Sequence, residues 1–218
     1  MQISTVTFIN LENRRDRLKS IKRQLKNCPY SVFRTNAIRP KNLQGYNIRP
    51  WHEHKSLSEK IGMLGCFLSH KQAITQLISL NSNPEYYSLI LEDDVKINDK
   101  IWSVLPHITP LVNDADVLLF DAQNFYTKYH FNNKCISEDY PKIYEPKPKQ
   151  KPVDFHGTHF VAIQNKKLQK ILHKMDPLDC IINIDMWYLY KSKLVTYCVI
   201  TNLIERSEFM GSDIKNGI

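Results

Sequence analysis

Short apolar runs alternate with stretches of helical period along this chain. Val6–Ile9, Tyr30–Asn36, Leu89–Leu91, Ala115–Asp121 and Leu194–Ile200 have the length and β-branched or aromatic content of strands. Between the first two runs, Leu18, Ile21 and Leu25 recur on one face of a basic segment, which predicts a helix with Asn10 or Asn13 placed to cap it. A strand, helix, strand opening predicts a parallel sheet. The polar, proline-bearing stretch 39–56 reads as a loop, and Ser58–Ile78 reads as a long helix. Gly62 and Gly65 interrupt that helix at a cost of about 1 kcal/mol each against alanine, which points to close backbone approach by another element or a ligand. Ile101–Leu105 reads as a short helix, Val153–Ile163 as strand-like around Gly157, and Lys166–Met175 as an amphipathic helix. The prolines and like charges of Glu145–Pro152 disfavour regular structure, so 122–152 is expected to be a loop or lid. The expectation is an α/β fold, with one domain over 1–218.

The 218 residues, 42% of them hydrophobic, suffice for one sizeable core. Lysine and arginine outnumber the acids 30 to 22, and a net charge of +8 favours polyanionic partners: phosphates, nucleic acid or an anionic membrane surface. Five scattered cysteines, none in a Cys-x-x-Cys pair, suggest neither a zinc knuckle nor a disulfide framework. The N-terminal stretch lacks the charged start and apolar region of a signal peptide, and no run approaches about 18 apolar residues. A cytoplasmic protein is expected, with any membrane association peripheral, through basic contacts with the anionic inner face.

The chemistry concentrates where Leu89–Leu91 empties into Glu92, Asp93 and Asp94. Acids at the carboxyl end of a strand stand where α/β sheets bind ligands. Their mutual repulsion would be offset by a hard cation, for which carboxylate oxygens are the preferred ligands. Glu92 and Asp94 would share a side if the chain stayed extended. The bland reading is a solvated turn. Arg14, Arg15 and Arg17 oppose the dipole of the first helix, so either a phosphate or a solvated face explains them. Ser69 and His70 are adjacent, and adjacent helical residues do not face each other, so no nucleophile relay is implied. Asp185 precedes Met186–Tyr188 and reads locally as a helix cap.

In order, these stretches resemble glycosyltransferase family 25, the bacterial lipopolysaccharide and collagen-modifying galactosyl- and glucosyltransferases. The resemblance is carried by Ile9–Leu11 with Arg14 and Arg17, Ala37–Ile38 and Leu43, Gly62–His70, Leu91–Val95, Gly157–Phe160, Asp185 and Ser212–Ile214, of which Gly62–His70 is the most specific. It implies a GT-A-like, Rossmann-type sheet flanked by helices, a UDP-sugar donor and an inverting transfer to a saccharide acceptor, lipid-linked in some settings. It casts Glu92 and Asp94 as ligands of Mn²⁺ or Mg²⁺, with Asp93, Asn10, Leu11, Arg14, Arg17, Ser69 and His70 on the donor side. Asp185 is then the catalytic base, and Gly157, Thr158 and Trp187 meet the acceptor.

Two competitors remain. A receiver-like phosphoryl domain would place its acids after the first strand, whereas here more than 80 residues come first. A basic nucleic-acid or anionic-glycan binding module would account for the charge, but no nucleic-acid motif is present and none of its chemistry uses buried carboxylates, so no nucleic-acid partner is expected.

Overall fold

The computed structural model describes residues 2–48, 53–80, 82–108, 112, 114–121, 131–135, 142–146, 158–176 and 180–207. Strands are β1 (Ile3–Asn10), β2 (Ser31–Asn36), β3 (Asn47–Ile48), β4 (Tyr87–Glu92), β5 (Val95–Ile97), β6 (Val117–Asp121), β7 (Phe131–Cys135), β8 (Lys142–Pro146), β9 (Phe160–Gln164), β10 (Cys180–Ile181), β11 (Thr196–Ile200) and β12 (Ile204–Arg206). Helices are α1 (Arg15–Gln24), α2 (Leu57–Ser79), α3 (Ile101–Ile108), α4 (Leu168–Lys174) and the single turn α5 (Ile184–Met186), which continues into a π-helical turn over Trp187–Lys191.

Eight strands form one sheet in the order β2-β1-β4-β9-β6-β11-β8-β7. The first half is parallel as expected: β1 runs with β2 and with β4. The sheet as a whole is mixed, because β9 lies antiparallel between β4 and β6. The acid-tipped strands β4 and β6 are therefore not neighbours. Both run antiparallel to β9, so their carboxyl ends still share one edge.

The central strands read as unbroken apolar runs because both faces of the sheet are covered. Ile90 faces one core with Phe67, Ala73, Ile74 and Leu77 of α2 and Leu168 and Ile171 of α4. Leu89 and Leu91 face the other, with Ile21 of α1 and Ile101, Trp102 and Leu105 of α3. The result is a three-layer α/β unit, a mixed sheet with helices on both faces.

Two local expectations change. Neither asparagine caps α1: its N-cap is Arg14, without a side-chain cap, and Asn10 instead donates from Nδ2 to the Arg14 carbonyl (3.2 Å). Within the expected loop or lid at 122–152, β8 joins β11 antiparallel and β7 joins β8, with Ile143 buried. Backbone pairing to a sheet edge needs no alternating apolar pattern, which is why a Lys- and Pro-rich stretch hid it. The remainder of that stretch lies outside the described residues.

The long helix α2 begins with a reciprocal cap: the Glu59 amide donates to Ser56 Oγ (3.3 Å) and the Ser56 amide to Glu59 Oε2 (2.8 Å). Its Gly65 is where the chain after β2 comes closest. A Cβ at Gly65 would lie 2.8 Å from the Ile38 carbonyl oxygen and 3.1 Å from Pro40 Cδ. Backbone oxygen cannot swing aside, so overpacking outweighs the helix-propensity gain. Gly65→Ala is expected to lower stability by about 1–2 kcal/mol in urea unfolding.

Candidate active site

A cavity of about 550 Å³ opens at the carboxyl ends of β1 and β4, where the sheet meets α2. Its wall combines Leu11 and Arg17, the Ile38–Lys41 segment after β2, Cys66, Ser69 and His70 of α2, the three acids, and Arg206. A volume of this order suits a small organic ligand. Ser69 shapes it by tying two elements: its Oγ donates to the Gly65 carbonyl (2.6 Å) and accepts from the Ile38 amide (2.8 Å).

The three acids have distinct surroundings because the chain turns at Asp93 and Asp94 between β4 and β5 and does not stay extended. Glu92 Oε1 accepts from His70 Nε2 (3.2 Å), Thr158 Oγ1 (2.9 Å) and the Cys66 thiol (3.5 Å). Burial alone would raise its pKa, but the hydrogen bonds and positive character of His70, with His159 and Thr158, hold it down at about 2. Burial and the Glu92 charge push the neighbouring Cys66 thiol well above its usual range.

Asp93 points back beneath the sheet edge. Its Oδ1 accepts from Arg17 (2.8 Å) and its Oδ2 from Asn10 Nδ2 (2.7 Å), with the Arg17 and Asp93 side chains 4% and 9% exposed. Arg17 thus couples the start of α1 to the acidic turn. Breaking such a buried pair strands a charge, so Arg17→Met is expected to cost about 3 kcal/mol in urea unfolding.

Asp94 Oδ2 lies 3.3 Å from Arg206 Nε and 3.9 Å from Arg17. Arg206 arrives because β12 pairs antiparallel with β5, Arg206 opposite Val95, and the Ser207 amide donates to the Asp94 carbonyl (2.7 Å). Burial, then the Glu92 charge, raise the Asp94 pKa against the opposing pull of Arg206 and Arg17. The other oxygen, Oδ1, is buried with no hydrogen-bond partner among the described residues. At the same sheet edge His159, 2% exposed, sits with Nε2 3.7 Å from Asp121 Oδ1.

The family model for glycosyltransferase family 25, described as an LPS biosynthesis protein, matches residues 3–187. The chain belongs to this family. No curated protein matches the sequence. Among solved structures, the transferase is similar to a glycosyltransferase involved in the glycosylation of the major capsid of PBCV-1, at 10% identity over 100% of this chain and 98% of that one, with a TM-score of 0.49. It is also similar to mannose-1-phosphate geranyltransferase from Thermus thermophilus, at 10% identity over 92% and 74% of the two chains, with a TM-score of 0.45.

Of the expected site residues in the transferase, Leu11, Arg17, Ser69, His70, Glu92, Asp93 and Asp94 line one cavity. Asn10 sits behind it on Asp93. Arg14 is turned to Asp16 instead (2.9 Å) and is not part of the wall. Thr158 faces Glu92, on the acid side of the site. Trp187, at 4% exposure, packs edge-on against Phe67 and Tyr188 and is not part of the cavity wall. Asp185 is buried on α5, outside the cavity wall, yet close enough for its charge to raise the Cys66 thiol. Gly157 and Ser212–Ile214 lie outside the described residues. Sequence reading missed Arg206, His159 and Cys66. For the first two the only signal was tertiary, whereas Cys66 stands one helical turn before His70.

Among the described residues no helix is long and apolar enough to cross a membrane. A hard divalent cation fits the acids, since Asp94 offers a buried carboxylate oxygen without a hydrogen-bond partner among the described residues, on a cavity wall that Glu92 shares.

Proposed function

We propose that the protein is an inverting, metal-dependent hexosyltransferase that moves galactose from UDP-galactose to a hydroxyl of a saccharide acceptor in lipopolysaccharide or other surface-glycan assembly. The observation that carries this reading is the cavity at the carboxyl ends of β1 and β4, whose wall sets Arg17, Arg39, Lys41 and Arg206 around Glu92, Asp93 and Asp94. Cations flanking a carboxylate turn suit a nucleoside diphosphate held beside a divalent ion.

Asp94 and Glu92 would hold Mn²⁺ or Mg²⁺, which when bound supplies Lewis-acid stabilisation of charge on the departing diphosphate. Arg206 and Arg17 restrain Asp94 and oppose the rise in its pKa that burial and the Glu92 charge cause, while His70 and Thr158 fix the Glu92 carboxylate. Asn10 and Arg17 anchor Asp93 and so set the turn. Arg39 and Lys41 are cavity-wall cations that phosphate oxygens in the cavity would meet. Single displacement requires a base at the acceptor hydroxyl, and the family resemblance assigns that role to Asp185. An acceptor carried on a lipid and a peripheral seat on an anionic membrane agree with the +8 charge.

The reading is tested by incubating the protein with Mn²⁺ and a panel of UDP-hexoses, following UDP release and product anomeric configuration by NMR. Release with UDP-galactose and an inverted anomeric centre is expected. No release with any UDP-hexose, beside steeply salt-dependent binding of nucleic acid, would transfer the assignment to a basic binding module.

A further inference from the structure

Cys66 and His70 stand one turn apart on α2 and converge on the same atom, Glu92 Oε1, which lies 3.5 Å from Cys66 Sγ and 3.2 Å from His70 Nε2. The three ligand atoms lie within 4.8 Å of one another. A tetrahedral zinc ion bound at ordinary lengths would set thiolate sulfur and carboxylate oxygen about 3.6 Å apart, and imidazole nitrogen and the same oxygen about 3.4 Å apart. Two edges of such a coordination shell are therefore already in place. Hydrogen bonding alone leaves the cluster awkward, since Thr158 also donates to Oε1 and three donors crowd an oxygen with two lone-pair directions. His70 is fully buried, and its Nδ1 has no hydrogen-bond partner among the described residues. All three residues line the cavity, which gives an ion a path in and room for a fourth ligand.

We propose that Cys66, His70 and Glu92 form a site for a thiophilic divalent ion, Zn²⁺ foremost, distinct from the hard-cation oxygen of Asp94. Sulfur and imidazole favour zinc, whereas Mg²⁺ and Mn²⁺ favour oxygen. On binding, the Cys66 S–H bond breaks and an S–Zn bond forms, the proton going to solvent. His70 gives up the Nε2 proton it donates to Glu92, which returns through solvent to Nδ1, so the neutral imidazole ligates through the freed Nε2 lone pair and Glu92 exchanges two of its donors for the ion. Glu92 is shared by the two sites, so filling one withdraws a ligand from the other. That last consequence rests on the cation role proposed for Glu92 and Asp94; the site itself does not.

Metal-stripped full-length protein titrated with Co²⁺ tests it. One equivalent should give the thiolate-to-cobalt charge-transfer band and the visible d–d bands of a tetrahedral site, and Zn²⁺ should abolish both. Cys66→Ser should remove the charge-transfer band, His70→Ala should weaken Co²⁺ binding by more than about tenfold, and Cys28→Ser and Asp94→Asn should retain the bands. Circular dichroism confirms that each variant is folded. No charge-transfer band in the wild type, or a band that survives in folded Cys66→Ser, overturns the site. Zn²⁺ should also raise the apparent Kd for Mn²⁺, read from free Mn²⁺ by electron paramagnetic resonance. Cobalt bands in a protein that binds no Mn²⁺ would leave the zinc site standing and remove the hard-cation reading. Unchanged Mn²⁺ affinity in the zinc-filled protein would overturn the sharing of Glu92.

Discussion

Asp94→Ala is expected to abolish the Mn²⁺-dependent part of UDP binding and to cut transfer by about 10³-fold, the scale of losing a preorganised charge-stabilising group. Isothermal titration of UDP, with and without Mn²⁺, on both proteins measures the first effect. The same variant should unfold within about 1 kcal/mol of the wild type, or above it. Burial and the Glu92 charge raise the Asp94 pKa, so the fold disfavours the charged form of this carboxylate, and Arg206, with its side chain 37% exposed, can turn to water once Asp94 is gone. Activity lost with stability kept would mark a residue retained for chemistry. A variant that still binds UDP through Mn²⁺ would remove Asp94 from the cation site.

Asp185→Asn is expected to lower kcat by about 10²- to 10⁴-fold while leaving UDP affinity and KM for the donor near their wild-type values. The substitution preserves shape and removes only the ability to take a proton, so a structural role for this buried residue would surface as a lowered Tm and not as a kcat effect alone. Retained turnover would leave the base to be sought at the same sheet edge, where His159 stands beside Asp121.

The two-sided burial of the central strands made them legible: Leu89, Ile90 and Leu91 point alternately into two cores, so no polar face interrupts the run. Gly65 was legible for a related reason, because its missing side chain has one clear beneficiary, the Ile38 carbonyl. The direction of β9 was not, since a fully buried strand carries the same residues whichever way it runs. The surroundings of Trp187 were not legible either, because an aromatic beside an acid serves equally as core or as platform, and only the fold places Phe67 and Tyr188 against it. The acids were found by type and position, but the turn at Asp93 and Asp94 gave each its own partners. Those partners come from residues 10, 17, 70, 158 and 206, separations over which no local pattern reports.

The pairing of β12 with β5 also has a bearing on how the molecule is made. Asp94 emerges from the ribosome 112 residues before the arginine that balances it. The sheet can assemble around β1, β4 and β9 while that carboxylate still repels Glu92, so during synthesis the nascent chain acquires its core before it acquires a competent site. A chain released just short of Ile204 should therefore keep the eight-stranded sheet but lack both the core contact of Ile204 and the Arg206 pairing to Asp94, and its donor affinity should fall.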